Sequence, residues 1–151
     1  EDFCVLDAQI ATVTLNGCLC SGGQTKQLTG IGTHFSTIET LAGYFVVASY
    51  DSTAKEKVFA VFDANLTQLA ALRLKGDYVV HNMLLFVRSR TLHILAANTK
   101  HTVDHLAFNG DAILLIKSET VNSCRVFGLV WITENEEALV LGSNTMKRIN
   151  L

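Results

Sequence analysis

A short apolar run, a polar turn and the start of a second apolar run recur along this chain at a nearly constant interval. The clearest copy is LHILAANTKHTV at 92–103, and ALVLGSNTMKRI at 138–149 has the same order. Asn98 and Asn144 mark the two turns and lie 46 positions apart. A looser copy covers 46–63. This repeat constrains the fold more than any other feature, because each copy must form a small unit that stacks on the next one.

The copies have the pattern of short β-strands. Apolar runs alternate with turn signals, and no stretch keeps a 3.6-residue period over about a dozen positions. Asn16-Gly17 and Asn109-Gly110 are strong hairpin signals. We therefore predict an all-β protein, an antiparallel meander of about eleven short strands.

Composition limits the classes of function. The 151 residues are 49% apolar and 17% charged, which fits one globular β domain over 1–151. The net charge is −2, and the 12 Lys and Arg residues are scattered, so we expect no nucleic-acid partner. The longest apolar runs are far shorter than the roughly 20 residues that cross a bilayer, so we expect no membrane partner.

The cysteines bear on the cellular compartment. Cys4, Cys18, Cys20 and Cys124 are too few for a disulfide-dense scaffold. We therefore expect reduced thiols and an intracellular location, in the cytoplasm or nucleus. The sequon at 65–67, NLT, would favour secretion instead.

One segment resembles a known repeat family. Residues 58–69, VFAVFDANLTQL, form an apolar run that ends in an aromatic residue and an aspartate, Phe62-Asp63. This resembles the third strand and exit turn of a WD40 repeat, and the looser pattern extends over 38–151. The resemblance implies a degenerate β-propeller, a fold used mostly as a platform for protein partners.

The spacing of the copies predicts a partial ring. The matching strands start at Val58, Val103 and Met146, which are 45 and 43 residues apart. The chain therefore holds roughly three and a half blades, whereas closed propellers have about four to eight. We expect a degenerate first blade at 1–37, blades at 38–80 and 81–123, and a partial blade at 124–151. Exposed blade faces would need cover from a protein partner that completes the propeller, or from a second copy of the chain.

The architecture favours a non-catalytic protein–protein interaction scaffold, a propeller-type segment of a larger protein or assembly. One alternative is a partner-binding module that resembles a pair of polo boxes, with two six-stranded meanders. A second alternative is a metal-binding or catalytic β-domain that uses histidine and cysteine side chains.

The candidate metal ligands are poorly spaced. His101 and His105 would lie about 13 Å apart on one face of a strand, too far to share a metal ion. Cys18 and Cys20 would also share a strand face, about 7 Å apart, which suits neither a disulfide nor a thioredoxin-type pair. We therefore predict no metal site and no cofactor.

The sequence also lacks a convergent catalytic set. A glycine cluster at 22–32 has no Gly-Lys-Ser/Thr step, so turn formation explains it better than phosphate binding. The acidic segment at 134–137 has the pattern of a solvated turn. The Gly-x-Ser-x-Gly motif of hydrolases is absent. We predict no catalytic residues and no enzyme activity.

Trp131 is the candidate interface residue. It is the single tryptophan of the chain and lies between Val130 and Ile132 in a predicted strand. Tryptophan is enriched among residues that dominate binding energy, although core packing between blades would equally explain its position.

Overall fold

The computed structural model describes residues 2–6, 9–76, 78–121, 126–132, 137–142 and 146–151. These residues form fifteen β-strands, and none of them lies in a helix. The strands are β1 (Asp2–Leu6), β2 (Gln9–Val13), β3 (Cys18–Ser21), β4 (Gln24–Gln27), β5 (His34–Leu41), β6 (Tyr44–Asp51), β7 (Glu56–Phe62), β8 (Gln68–Lys75), β9 (Val80–Arg88), β10 (Thr91–Asn98), β11 (Thr102–Phe108), β12 (Ile113–Thr120), β13 (Val126–Ile132), β14 (Glu137–Gly142) and β15 (Met146–Asn150). The described segments contain no helix long and apolar enough to span a membrane.

The strands form four antiparallel meanders. Sheet 1 is β1–β4, sheet 2 is β5–β8, sheet 3 is β9–β12 and sheet 4 is β13–β15, each paired in chain order. There are more strands than the predicted eleven, and two features account for part of the difference. The long run from Phe3 to Leu15 contains two strands, β1 and β2, and the polar segment β4 pairs with β3. Segment β4 has little strand propensity of its own, so its pairing partner determines its conformation.

The recurring sequence copies occupy equivalent places. The strands that contain Val58, Val103 and Met146 are β7, β11 and β15, and each is the third strand of its sheet. The sheets begin at other residues than the predicted blades, because β5 starts at His34 and β9 at Val80. The division into blades at 1–37, 38–80, 81–123 and 124–151 stays a prediction.

The first strand of each sheet lies on the inner side of the assembly. Strand β1 contacts β5, β5 contacts β9, and β9 contacts β13, so the four sheets form an arc around these inner strands. Asp2 links the first two of them, because its carboxylate accepts hydrogen bonds from the Thr37 hydroxyl at 2.7 Å and the Ile38 amide at 2.9 Å.

Three apolar cores lie between successive sheets. Alternate residues of one strand enter different cores: Val58, Ala60 and Phe62 of β7 pack towards sheet 1. Phe59 and Val61 of the same strand pack towards sheet 3. Strands β10 and β11 divide their side chains in the same way between sheets 2 and 4. Burial on both faces explains why these strands appear in the sequence as continuous apolar runs.

Gly17 lets sheets 1 and 2 approach closely. It lies in the predicted Asn16-Gly17 hairpin with φ of 77°, and its amide donates to the Thr14 carbonyl at 2.9 Å. A β-carbon at this position would lie 2.3 Å from the Phe35 ring. Glycine is therefore required here both for the turn and for the packing of sheet 2.

Candidate interaction surface

Strand β12 presents three consecutive large apolar side chains to solvent. Leu114, Leu115 and Ile116 are 53%, 42% and 54% exposed, and β12 is the outermost strand of sheet 3. A bulge contributes to this exposure, because the pairing with β11 shifts between His105 and Leu106 and leaves Ile116 without a partner residue. At a bulge the strict alternation of side chains between the two faces is lost. An edge strand of this kind can accept a further strand.

The other outer strands carry polar or charged side chains that protect them. Strand β8 carries Arg73, which forms ion pairs with Asp51 and Glu56, both at 3.1 Å, and Lys75, which pairs with Glu56 at 2.9 Å. Strand β4 is short and polar, and β15 contains Lys147. Charged residues on an edge strand oppose pairing with other chains. Among the described outer strands, β12 differs by opening with four uncharged apolar residues.

The two ends of the arc also expose apolar side chains. On sheet 4, Val130 and Met146 are 43% and 69% exposed on the face that points away from sheet 3. On sheet 1, Ile10 is 64% exposed on the face opposite the core residues of β2, and Leu15 in the following turn is 60% exposed. In a closed propeller such faces are covered by the next blade.

A buried ion pair connects sheets 2 and 3. The Lys57 ammonium on β7 contacts the Asp104 carboxylate on β11, and both side chains are only 2% exposed. The Ser118 hydroxyl donates to the other Asp104 oxygen at 2.6 Å, and the Lys57 Nζ lies 4.4 Å from the centre of the Tyr78 ring. Both charges are thus compensated inside the protein, as burial requires.

A pair of histidines lies on the face of sheet 3 that packs towards sheet 4. His93 Nδ1 and His105 Nε2 are 2.9 Å apart, and the Phe86 ring stacks on His93 with centroids 4.9 Å apart. His105 is buried, and its Nδ1 has no hydrogen-bond partner among the described residues. A buried N–H donor without a partner is rarer than an acceptor without one. This favours the tautomer in which His105 Nε2 carries the hydrogen and donates it to His93 Nδ1, while His105 Nδ1 is unprotonated.

Burial holds both imidazoles in the neutral form. Desolvation lowers the pKa of His105 to about 4, and electrostatic repulsion from a protonated His93, from Lys117 and from Arg88 adds to the effect. The pKa of His93 is also lowered, first by desolvation and then by Arg88. The pair is therefore uncharged at neutral pH and can share one hydrogen between its two facing nitrogens.

His101 and His105, the candidate metal ligands of the sequence analysis, lie in different environments. His101 lies in the turn before β11 with φ of 60°, whereas His105 lies within the strand next to His93. Cys18 and Cys20 do share a face of β3, and their Sγ atoms are 3.8 Å apart. Among the described residues, no group of three or more His, Cys, Asp or Glu side chains is arranged to hold a metal ion.

The remaining sequence candidates have simple structural positions or lie outside the described residues. Gly22 and Gly23 form the turn between β3 and β4, with φ of 55° and 78°. In the acidic segment at 134–137, positions 134 and 136 lie outside the described residues. Glu137 begins β14 and forms an ion pair with Arg148 at 3.5 Å. The Trp131 backbone lies in β13 opposite Ala138, but its side chain is not among those described. Its role at an interface stays a prediction.

Sequence reasoning missed two of these clusters. The Lys57 and Asp104 pair joins strands of different sheets, and no local pattern indicates such a contact. His93 and His105 could have been found from the register of the β10–β11 hairpin. Its turn places His93 opposite Ala107 and Leu95 opposite His105, so the two imidazoles are diagonal neighbours on one face.

Solved structures share this arrangement of sheets. The C-terminal WD40 domain of Sif2 matches 94% of this chain with a TM-score of 0.63 and 12% identity, and the match covers 42% of that chain. The WD40 domain of SCAP from fission yeast matches 95% of this chain with a TM-score of 0.61 and 12% identity, over 39% of its own length. The chain thus spans less than half of either structure.

The sequence comparisons return no relative. No protein-family model matches the chain, and no curated protein matches it. The predicted all-β meander of WD40-like blades in a partial ring is confirmed by the four sheets and by the two structural neighbours. The chain has the fold of a WD40-like β-propeller, in the form of an open arc of four antiparallel sheets.

Proposed function

We propose that this chain is a non-catalytic protein–protein interaction scaffold that binds an extended apolar segment of a partner protein along β12. The observation that carries the proposal is the exposure of Leu114, Leu115 and Ile116 on an outer strand with no charge among its first four residues. A peptide that adds to such an edge gains backbone hydrogen bonds, and its alternate side chains contact the exposed leucine and isoleucine residues.

We also propose that a further blade extends the propeller beyond sheet 4, and the apolar face at that end of the arc supports this. A further blade, from a longer chain or from another protein, covers the face of sheet 4 that exposes Val130 and Met146. The chain matches 42% and 39% of the two neighbouring WD40 structures, which accords with a propeller segment. A pair of six-stranded polo-box-like meanders accords less well with sheets of four, four, four and three strands.

A display library of random peptides about ten residues long tests the β12 site. We expect selection of peptides with alternating apolar residues. The change Leu114→Lys should weaken their binding by roughly tenfold or more, because it places a charge on the docking edge. Leu69→Lys is the matched control, since Leu69 is 37% exposed on the outer strand β8 and should leave affinity unchanged.

A second arm tests the mode of binding. Methylation of a backbone nitrogen removes a hydrogen-bond donor from a selected peptide but keeps its side chains. Alternate N–H groups of an extended peptide point to opposite sides, so each side can be methylated separately. Methylation on the side that faces β12 should abolish binding, and methylation on the other side should not. Equal affinity for Leu114→Lys and the original chain, or indifference to methylation, would contradict strand addition at β12.

A further inference from the structure

Cys18 and Cys20 are held side by side on the first sheet. They occupy alternate positions of β3, and Leu19 between them is fully buried in the core towards sheet 2. Both thiols therefore point to the opposite face, where each is half-buried. The hairpin that precedes β3 is fixed by hydrogen bonds from the Cys18 amide to the Thr14 hydroxyl and from the Thr14 amide to the Cys18 carbonyl, both at 3.0 Å.

The strand keeps these thiols from forming a disulfide with each other. Residues two apart on an extended strand have Cα atoms about 7 Å apart, beyond the usual disulfide range of roughly 4.4–6.8 Å. The Sγ atoms are nonetheless 3.8 Å apart, and the Thr25 hydroxyl donates to Cys20 Sγ at 3.6 Å. The pair is therefore a stable dithiol that is accessible from solvent.

The sulfur separation fits a metal ion. With metal–sulfur bonds of ~2.3 Å, two sulfurs 3.8 Å apart subtend an angle of about 111° at the metal, close to tetrahedral. Thiolates select soft ions such as Cu⁺ and Zn²⁺ over hard cations such as Mg²⁺ and Ca²⁺. The described residues offer no third His, Cys, Asp or Glu ligand, so the remaining positions would be filled by solvent or a small external ligand.

We propose that Cys18 and Cys20 form an open two-thiolate site for a soft d¹⁰ metal ion, Zn²⁺ or Cu⁺. Binding deprotonates both thiols, so two protons are released for each ion bound. This site lies on sheet 1 and is independent of the peptide edge on sheet 3.

Metal titration of the reduced full chain tests the site. Zn²⁺ and Cu⁺ are each titrated against a chromophoric chelator, and one ion should bind per chain. Cys18→Ser and Cys20→Ser should each weaken binding by roughly tenfold or more. Cys4→Ser is the matched control, because Cys4 faces the core and burial raises the pKa of its thiol to about 12. Cys124→Ser tests the fourth thiol.

Phenylarsine oxide gives a second readout that does not depend on metal affinity. It condenses with two adjacent thiols to form two As–S bonds and one water molecule, with no change of oxidation state. The chain and its Cys4→Ser variant should show this adduct by intact mass, and the Cys18→Ser and Cys20→Ser variants should not. Metal binding that survives both of these substitutions, binding that depends on Cys124, or failure of the chain to bind either ion would overturn the proposal.

Discussion

Replacing Asp104 with alanine should lower the free energy of unfolding more than any substitution of an exposed residue. In Asp104→Ala the Lys57 ammonium stays 2% exposed but loses its carboxylate, and the Ser118 hydroxyl loses its acceptor. Breaking one side of a buried pair costs about 3–5 kcal/mol, a large part of the roughly 5–15 kcal/mol that stabilises an ordinary domain. The contact between Lys57 and the Tyr78 ring does not fully replace the lost charge, because a desolvated cation–π contact supplies about 2 kcal/mol, less than the cost of breaking the buried pair.

Urea denaturation followed by circular dichroism measures this effect. With an m-value of about 2 kcal/mol/M, the midpoint of Asp104→Ala should fall by roughly 2 M. Glu119→Ala is the matched control, because Glu119 pairs with Lys147 at 2.7 Å where the side chains are 30% and 38% exposed. Loss of an exposed pair should cost at most about 1 kcal/mol.

The double variant Lys57→Met with Asp104→Leu separates charge from packing. Apolar replacement of both partners should restore most of the stability, because no unpaired charge remains buried. The reasoning is refuted if Asp104→Ala costs no more than Glu119→Ala, or if the double variant is as unstable as Asp104→Ala.

Three further predictions use the same denaturation assay. The pKa of His105 is about 4 in the folded chain and 6.5 in the unfolded chain, so the neutral imidazole contributes fully to the free energy of unfolding above pH 6.5. About 3 kcal/mol of that contribution should be lost as the pH falls towards 4. The variant His105→Phe should lack this loss of stability between pH 6.5 and 4, and an unchanged pH dependence of its stability would contradict the prediction. Gly17→Ala should cost more than Gly23→Ala: both have φ near 78°, worth about 1–2 kcal/mol of strain, but only Gly17 also meets the Phe35 ring. Equal losses would argue against the close contact. Phe59→Ala should cost about 3–5 kcal/mol, because the ring is fully buried between sheets 2 and 3, and a loss below 1 kcal/mol would contradict that burial.

The repeat made the fold predictable. Each copy carries the same apolar run before the same kind of turn, so Val58, Val103 and Met146 were expected to be equivalent, and all three lie in third strands. Strand β4 could not be predicted from its composition, since QTKQ forms a strand only by pairing with Cys18–Ser21. Local pattern predicts propensity, whereas pairing depends on a partner elsewhere.

The functional surfaces were less accessible to sequence reasoning. The Asn109-Gly110 hairpin signal indicates a strand after it, but a buried strand and an exposed edge strand give the same apolar pattern. The shared strand face of Cys18 and Cys20 followed from their spacing. The 3.8 Å between their sulfurs did not, because side-chain rotamers determine it.

Strands β6, β7, β10 and β11 each contribute to two cores at once. A cavity made in one of these cores therefore loosens a strand that also packs in the neighbouring core. The loss of local stability should extend to the adjacent sheets along the arc. Amide hydrogen exchange would detect this as a gradient of protection, slowest in sheets 2 and 3 and fastest in the two outer sheets. The middle of the chain is thus the region where a mutation would affect the greatest number of distant residues.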